Sequence, residues 1–293
     1  KIDLHLPINS NLRGEVKNSD LTISKIRGTI ALKTESTDSE LDNMSGDINL
    51  STKGGNISTN KLSGNLELAV ISGDINIFDC NANAVTKIDN GNILINGMKG
   101  TLNSYTTLGE SLITNFEGEN CVFNINVGNL KVNGCNSNLN ANIDIGSISI
   151  NNLQGSVSLF TGKGEINLNN IIGGVNCNTN FGNVNGSNLF GRVNANSELG
   201  DIVINKCYNS FLNDHSINLI TQRGSITIRL PSELPYAINS QCNNLETRSA
   251  ISSEIPLEEE FLAGKVIAQG KIKEGTISCN LSSNYGPISI YTN

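Results

Sequence analysis

From Ser19 onward, polar and apolar residues alternate in short bursts, and a glycine precedes most of them. The segment GSISINNLQGSVSLFTGK (146–163) is followed directly by GEINLNNIIGGVNCNTNF (164–181), and the two align position for position. Period-two alternation over five residues predicts a half-buried strand, and the intervening Gly and Asn predict tight turns. Glycine recurs every nine residues, but alternate nonamers differ, so the period is 18. Eleven units can be aligned, starting at Ser19, Thr37, Gly55, Gly73, Gly91, Gly109, Gly128, Gly146, Gly164, Gly182 and Gly200. Gly fills position 1 or 10 in 17 of 22 places, and the Gly109 unit is read as the one with an extra residue.

The apolar columns follow from that alignment. Position 3 carries Ile57, Ile75, Ile93, Ile148 and Ile166, and position 5 carries Leu41, Ile77, Ile95, Ile150 and Ile204. Position 12 carries Ile30, Ile48, Leu66, Val157 and Val175, and is extended to Phe211. Position 8 plays no part in choosing the register, yet it is apolar in every unit, from Ile26, Met44 and Leu62 to Leu153, Ile171, Leu189 and Cys207. A unit of this length cannot bury its own apolar face, whereas stacked copies can. The pattern predicts an all-β, single-stranded β-solenoid (a β-helix) with 18-residue coils, right-handed coiling and a cap at each end.

One domain over 1–293 is expected: a cap strand in 1–18, eleven coils over 19–217, and closing strands with a cap over 218–293. Within the first segment Ile2, Leu4 and Leu6 read as a strand ended by Pro7. In the last, GKVIAQGKI, GTISCNL and GPISIYTN read as three short capping strands.

Composition fits a stack of turns. The chain has 48 Asn and 29 Gly, both poor helix formers. Hydrophobic residues are 37% and charged residues 16%, below the roughly 45–50% and 25% of average domains. Asn at position 6 (Asn60, Asn96, Asn133, Asn151, Asn169, Asn205) is read as a residue that tolerates left-handed turns and builds side-chain amide ladders. No apolar run reaches the length of a membrane span, so direct membrane insertion is not expected. A net charge of −7 argues against nucleic acid as partner.

The recurring turns Ser45–Ile48, Ser72–Ile75, Lys163–Ile166 and Leu199–Ile202 (SGDI, KGEI, LGDI) carry a resemblance. So do the opening strand ended by Pro7 and the segment TQRGSITIRLPSELPYAI, Thr221 to Ile238. Across essentially its whole length the chain resembles the adhesin-type β-strand-repeat family. That is a bacterial-type domain family of unknown function, common on cell envelopes, with scattered eukaryotic members. The resemblance implies a solenoid fold and an envelope or extracellular location. It brings no catalytic residues.

Candidate chemistry is sparse. A calcium β-roll needs an Asp column beside paired glycines, and none runs down these units. His5 and His215 have no Cys or His at zinc-ligand spacing and are expected at the surface or in caps. A glycosidase would want paired carboxylates in a cleft. Asp47, Asp74, Glu110, Glu119, Glu165 and Asp201 instead lie beside turn glycines in several coils, and read as solvated turns. The acidic run Glu254–Glu260 reads as a blunted edge. Cys80, Cys121, Cys135, Cys177 and Cys207 are expected in the core as unpaired thiols. For Cys242 and Cys279, pairing and free thiols both remain open.

No catalytic, cofactor-binding or metal-binding residue is therefore expected, and no cofactor. The function expected is non-enzymatic: an adhesin-like module binding a protein or carbohydrate through its extended surface. Two other readings are a structural accessory or scaffold subunit of a larger assembly, an organellar one included, and a carbohydrate-active enzyme on a β-helix. Unpaired core thiols fit an intracellular or organellar home, since disulfides are rare in reducing compartments.

Overall fold

In a computed structural model, which describes residues 5–243, 250–262 and 264–293, the 18-residue period becomes a physical rung spacing. Strand follows strand with no helix among the described residues, and coils stack as a β-solenoid of about eleven turns. The chain falls into two compact units, residues 1–144 and 145–293.

In the first unit, one parallel sheet stacks Leu12–Lys17, Ile30–Glu35, Ser45–Thr52, Ser63–Ser72, Asn81–Asn90 and Lys99–Leu108. A second stacks Leu21–Ser24, Ser39–Asp42, Ile57–Asn60, Ile75–Phe78 and Ile93–Asn96. Partners such as Ile30↔Ile48 and Ile48↔Leu66 are one period apart. The extra residue of the Gly109 unit appears where the register shifts, because Leu102 pairs with Cys121. Position 8 behaves as its apolar character requires: Met44, Leu62, Leu153, Ile171 and Leu189 are all buried.

The second unit repeats the plan with Ile148–Gln154, Ile166–Ile172, Val184–Leu189 and Ile202–Lys206 on one sheet. Val157–Lys163, Val175–Phe181, Val193–Leu199 and Ile217–Arg223 form the other.

Two turn devices explain the composition. At Gly164, φ is +153° and a Cβ would stand 2.0 Å from the Gly146 carbonyl oxygen, so only glycine lets consecutive coils approach. The other turn uses position 7, not position 6: Lys25, Asn43, Lys61, Asp79, Gly97 and Asn115, then Asn152, Asn170 and Asn188, have φ between 49° and 75°. Position-6 and other outward Asn residues make the ladders instead, as in Asn60 Nδ2 to Asp42 Oδ1 at 2.7 Å. The left-handed turn flips the chain so that the next residue, position 8, enters the core.

Several boundaries differ from the sequence expectation. Leu12–Lys17 is no separate cap strand, since it pairs in register with Ile30–Glu35 and so belongs to the repeat. Ile2 and Leu4 lie outside the described residues, and Leu6 is exposed outside any strand. Phe211 does not occupy position 12. It is 91% exposed, and Val193 pairs instead with Ile217, 24 residues on. The Gly200 coil therefore carries its own insertion, a loop over 207–216.

The closing strands are threaded out of chain order. Tyr236–Cys242 and Ile251–Ser253 form the outer coil. Ile277–Ser283 and Ile288–Thr292 then slot between that coil and the Ile217–Arg223/Ile226–Leu230 coil. GTISCNL and GPISIYTN are thus an inner coil and not a cap. The covering is antiparallel: Lys265–Lys271 on Tyr236–Cys242, then Leu257–Leu262 on its far side. Leu257–Leu262 is an edge strand carrying Glu258, Glu259 and Glu260, the charge that discourages edge-to-edge pairing.

Candidate functional site: an amide-lined outer face

Four of the six acids weighed for hydrolysis accept hydrogen bonds from the next coil. Asp74 Oδ1 accepts the Asn92 backbone N–H at 2.7 Å, and Asn56 Oδ1 accepts that of Asp74 at 2.8 Å. Asp201 Oδ1 accepts the N–H of Ser225 at 2.6 Å, and Ser147 Oγ accepts the N–H of Glu165 at 3.1 Å. Asp47 accepts Asn65 Nδ2 at 2.8 Å, Glu110 accepts Asn129 Nδ2 at 3.1 Å, and Glu119 is exposed. The bonded carboxylates are used between rungs along the stack, as side-chain acceptors for the next coil.

The seven cysteines are free thiols, and six are buried. Burial raises the Cys135 thiol to about 11 and that of Cys279 to about 12. Cys121 is pushed well up by burial and then by the charge of Cys135. The open question at Cys242 and Cys279 is closed by register: Cys279 pairs with Ile238, four residues from Cys242. That places the two roughly 13 Å apart along the strand, beyond disulfide reach. Cys207 is not the buried position-8 residue. It is half-buried, because the residue before it has taken that place.

That residue is Lys206. The left-handed column ends at Asn188; Lys206 stays extended as the last residue of Ile202–Lys206 and pairs with Leu189. Its side chain therefore enters the core, fully buried. Nζ donates to the carbonyls of Phe190 at 2.7 Å and Leu189 at 3.2 Å, and lies 3.5 Å from His215 Nδ1. Burial lowers the Lys206 pKa to about 7, partly offset by Cys207 and Asp214. His215, expected at the surface or in a cap, belongs to the 207–216 loop yet is only 4% exposed. Burial and then the Lys206 charge lower its pKa. Its Nε2 has no hydrogen-bond partner, and Tyr236 Oη donates to its backbone carbonyl at 3.2 Å. The cluster anchors the loop, and it is closed to solvent. Among the described residues, no three His, Cys, Asp or Glu gather as metal ligands would.

The outward face of the second unit is different in kind. Positions 4 and 6 of five successive coils line a groove of about 360 Å³. Ser149, Asn151, Asn167, Asn169, Asn185, Ser187, Asn205 and Thr227 furnish amides and hydroxyls, Val203 an apolar patch, and Arg229 the one charge. The amides are oriented by each other: Asn185 Nδ2 donates to Asn167 Oδ1 at 2.9 Å and Ser187 Oγ to Asn169 Oδ1 at 2.9 Å. Asn293 Nδ2 donates to Asn205 Oδ1 at 3.1 Å. Position 5 faces the core, and at Gly186 it has no side chain, so Leu189 and Ile204 fill that interior space. A Cβ there would meet Leu189 Cδ1 at 2.6 Å and Ile204 Cδ1 at 3.0 Å, and the register shifts between Gly186 and Leu189. Arg229 is exposed, lies 4.8 Å over the Tyr291 ring, and has no carboxylate in ion-pair range among the described residues.

Sequence reading missed both features. The 24-residue step from Val193 to Ile217 is the available signal for the Lys206 cluster. The run of Asn and Ser at positions 4 and 6 over residues 149–187 is the signal for the groove. Two other hollows lie elsewhere and carry mixed charge. One, of 710 Å³, is beside Arg13, Glu15 and Lys33, and one of 770 Å³ is beside Glu258 and Lys271.

Compared with family models, curated proteins and solved structures, the chain finds no match.

Proposed function

We propose that the protein is a non-enzymatic binding module that works through its long outer surface. The observation that carries this reading is the groove of residues 149–229: fixed amides and hydroxyls on a rigid ladder, with no carboxylate in its lining. Such a surface offers paired donors and acceptors and lacks the positioned acid and base that hydrolysis would use. The resemblance to adhesin-type repeats supports the same direction. The test is retention of glycans and of extracellular proteins by the immobilised chain, run beside a hydrolase and lyase screen on the same polymers. Retention without turnover is expected; turnover of a retained polymer would overturn the reading.

A second reading, an accessory subunit of a larger assembly, draws on the loop tip. There Phe211 is 91% exposed and Tyr208 47% exposed. A photo-crosslinker at position 211 should then capture one stoichiometric partner protein, and a Phe211→Ser chain should lose it.

A further inference from the structure

Resting on the binding-module reading, we infer that the groove of residues 149–229 takes a short acidic oligosaccharide whose carboxylate pairs with Arg229. The first argument is chemical. Asn185 spends one N–H on Asn167 and keeps a second N–H and its carbonyl for a ligand, and Asn169 and Asn205, whose oxygens accept from Ser187 and Asn293, keep their N–H groups. A donor beside an acceptor on one rigid group is what a sugar's vicinal hydroxyls need, since each hydroxyl both donates and accepts. Pre-oriented amides lose little rotamer freedom on binding, which removes the usual ordering cost.

The second argument is shape. The hollow of about 360 Å³ is in the range of small-ligand sites and suits a short run of sugar rings. The 43% exposed side chain of Val203, on the outward face, gives a ring's C–H face an apolar seat.

The third argument is charge. A chain of net charge −7 keeps this lining free of carboxylates and leaves Arg229 without an acidic partner among the described residues. The guanidinium, braced on the Tyr291 ring at 4.8 Å, presents a planar fork that fits one carboxylate. A single cation matches a single carboxylate, whereas a nucleic acid or polysulfated chain would bring charges with nothing to neutralise them.

The experiment titrates the full chain with a uronic-acid trisaccharide, its neutral counterpart and a sulfated trisaccharide, by calorimetry and by NMR shift mapping. The uronate should bind most tightly, weaken with salt, and shift amides between residues 149 and 229. Arg229→Gln should weaken the uronate about tenfold, the weight of one charge-assisted pair, and leave the neutral sugar unchanged. Val203→Glu, on an exposed side chain, should abolish uronate binding with the melting temperature unchanged. Equal binding of neutral and acidic sugars, indifferent to Arg229→Gln, overturns this inference and leaves the binding module standing. Tighter binding of the sulfated sugar overturns the carboxylate assignment. Failure of every sugar, while other ligands are retained elsewhere on the surface, overturns the groove alone.

Discussion

Residues 146–199 and residues 200–293 are built from the same coil, yet they behave as different materials. The first stretch is three uninterrupted coils in which Leu153, Ile171 and Leu189 stack, Gly146, Gly164 and Gly182 touch, and no charge enters the interior. The second stretch begins with the same turn but fails at position 7. There Lys206 remains extended, a lysine replaces the aliphatic side chain beside Leu189, and a loop carries the chain out before Ile217 resumes the ladder. One missing left-handed residue thus converts a column of methyl groups into a column ending in an amine. The repeat tolerates this because Nζ finds the Phe190 and Leu189 carbonyls.

The regular stretch should be brittle. Leu153→Asp places an unpartnered carboxylate in the aliphatic column and should cost about 4 kcal/mol or more, enough to remove the cooperative melt seen by circular dichroism. A well-folded Leu153→Asp protein would break the comparison at its root.

Next in size is a contrast between adjacent glycines. At Gly173, φ is +152° and a Cβ would lie 2.0 Å from the Gly155 oxygen, whereas at Gly174 the nearest atom is 3.5 Å away. Gly173→Ala should lose about 2–3 kcal/mol, in the range of strained backbone sites, and Gly174→Ala should be near neutral. Equal denaturation midpoints for the two variants would show that the close approach of coils is not what selects glycine.

The interrupted stretch should respond to pH where the regular one does not. The folded pKa of Lys206 is about 7, below its ordinary 10.5, so between those values the unfolded chain holds a proton that the folded chain has released. Stability therefore rises with pH through this window, and the penalty is complete below about 7. His215, also lowered, acts in the same direction. From pH 6 to pH 8 the gain should be about 1 kcal/mol. Lys206→Met should flatten the slope; a slope that survives it would remove Lys206 from the account. The smallest effect is chemical. Cys207 is the half-buried thiol and should be the one labelled in the native protein by an aromatic disulfide reagent, the other six reacting after unfolding. Early labelling of Cys135 or Cys177 would mean that the regular coils open.

The solenoid is legible because burial and sequence share one period. Every rung repeats the same inward choice, so columns such as Met44 and Leu62 report the register without help from structure. Legibility fails where geometry rather than hydrophobicity decides. Positions 6 and 7 are both polar, so Asn at 169 and Asn at 170 look alike, but only the second turns the chain. Cys207 looks like a core residue because alignment carries the count one residue too far. The inward hydroxyls are hidden for a related reason. Thr161 and Thr221 read as polar strand residues, yet each donates to a turn-glycine carbonyl, Gly146 at 2.8 Å and Gly200 at 2.9 Å, from inside the core. The groove is invisible to periodicity because it depends on which polar residues fill positions 4 and 6, not on whether they are polar.

The out-of-order threading near the end of the chain also has a consequence in time. Coils through Leu230 can be laid down as they are synthesised, each on its predecessor. Tyr236–Cys242 cannot, because its parallel neighbour Ile277–Ser283 comes later in the chain. Until residues 277–292 arrive, the Ile217–Arg223 and Ile226–Leu230 rungs lack the strands that cover them. Gly286 must then settle on Gly224, 62 residues away, closing a loop far longer than any other rung requires. The slow step of folding is therefore expected to be closure of that span, and not the local stacking that builds the rest.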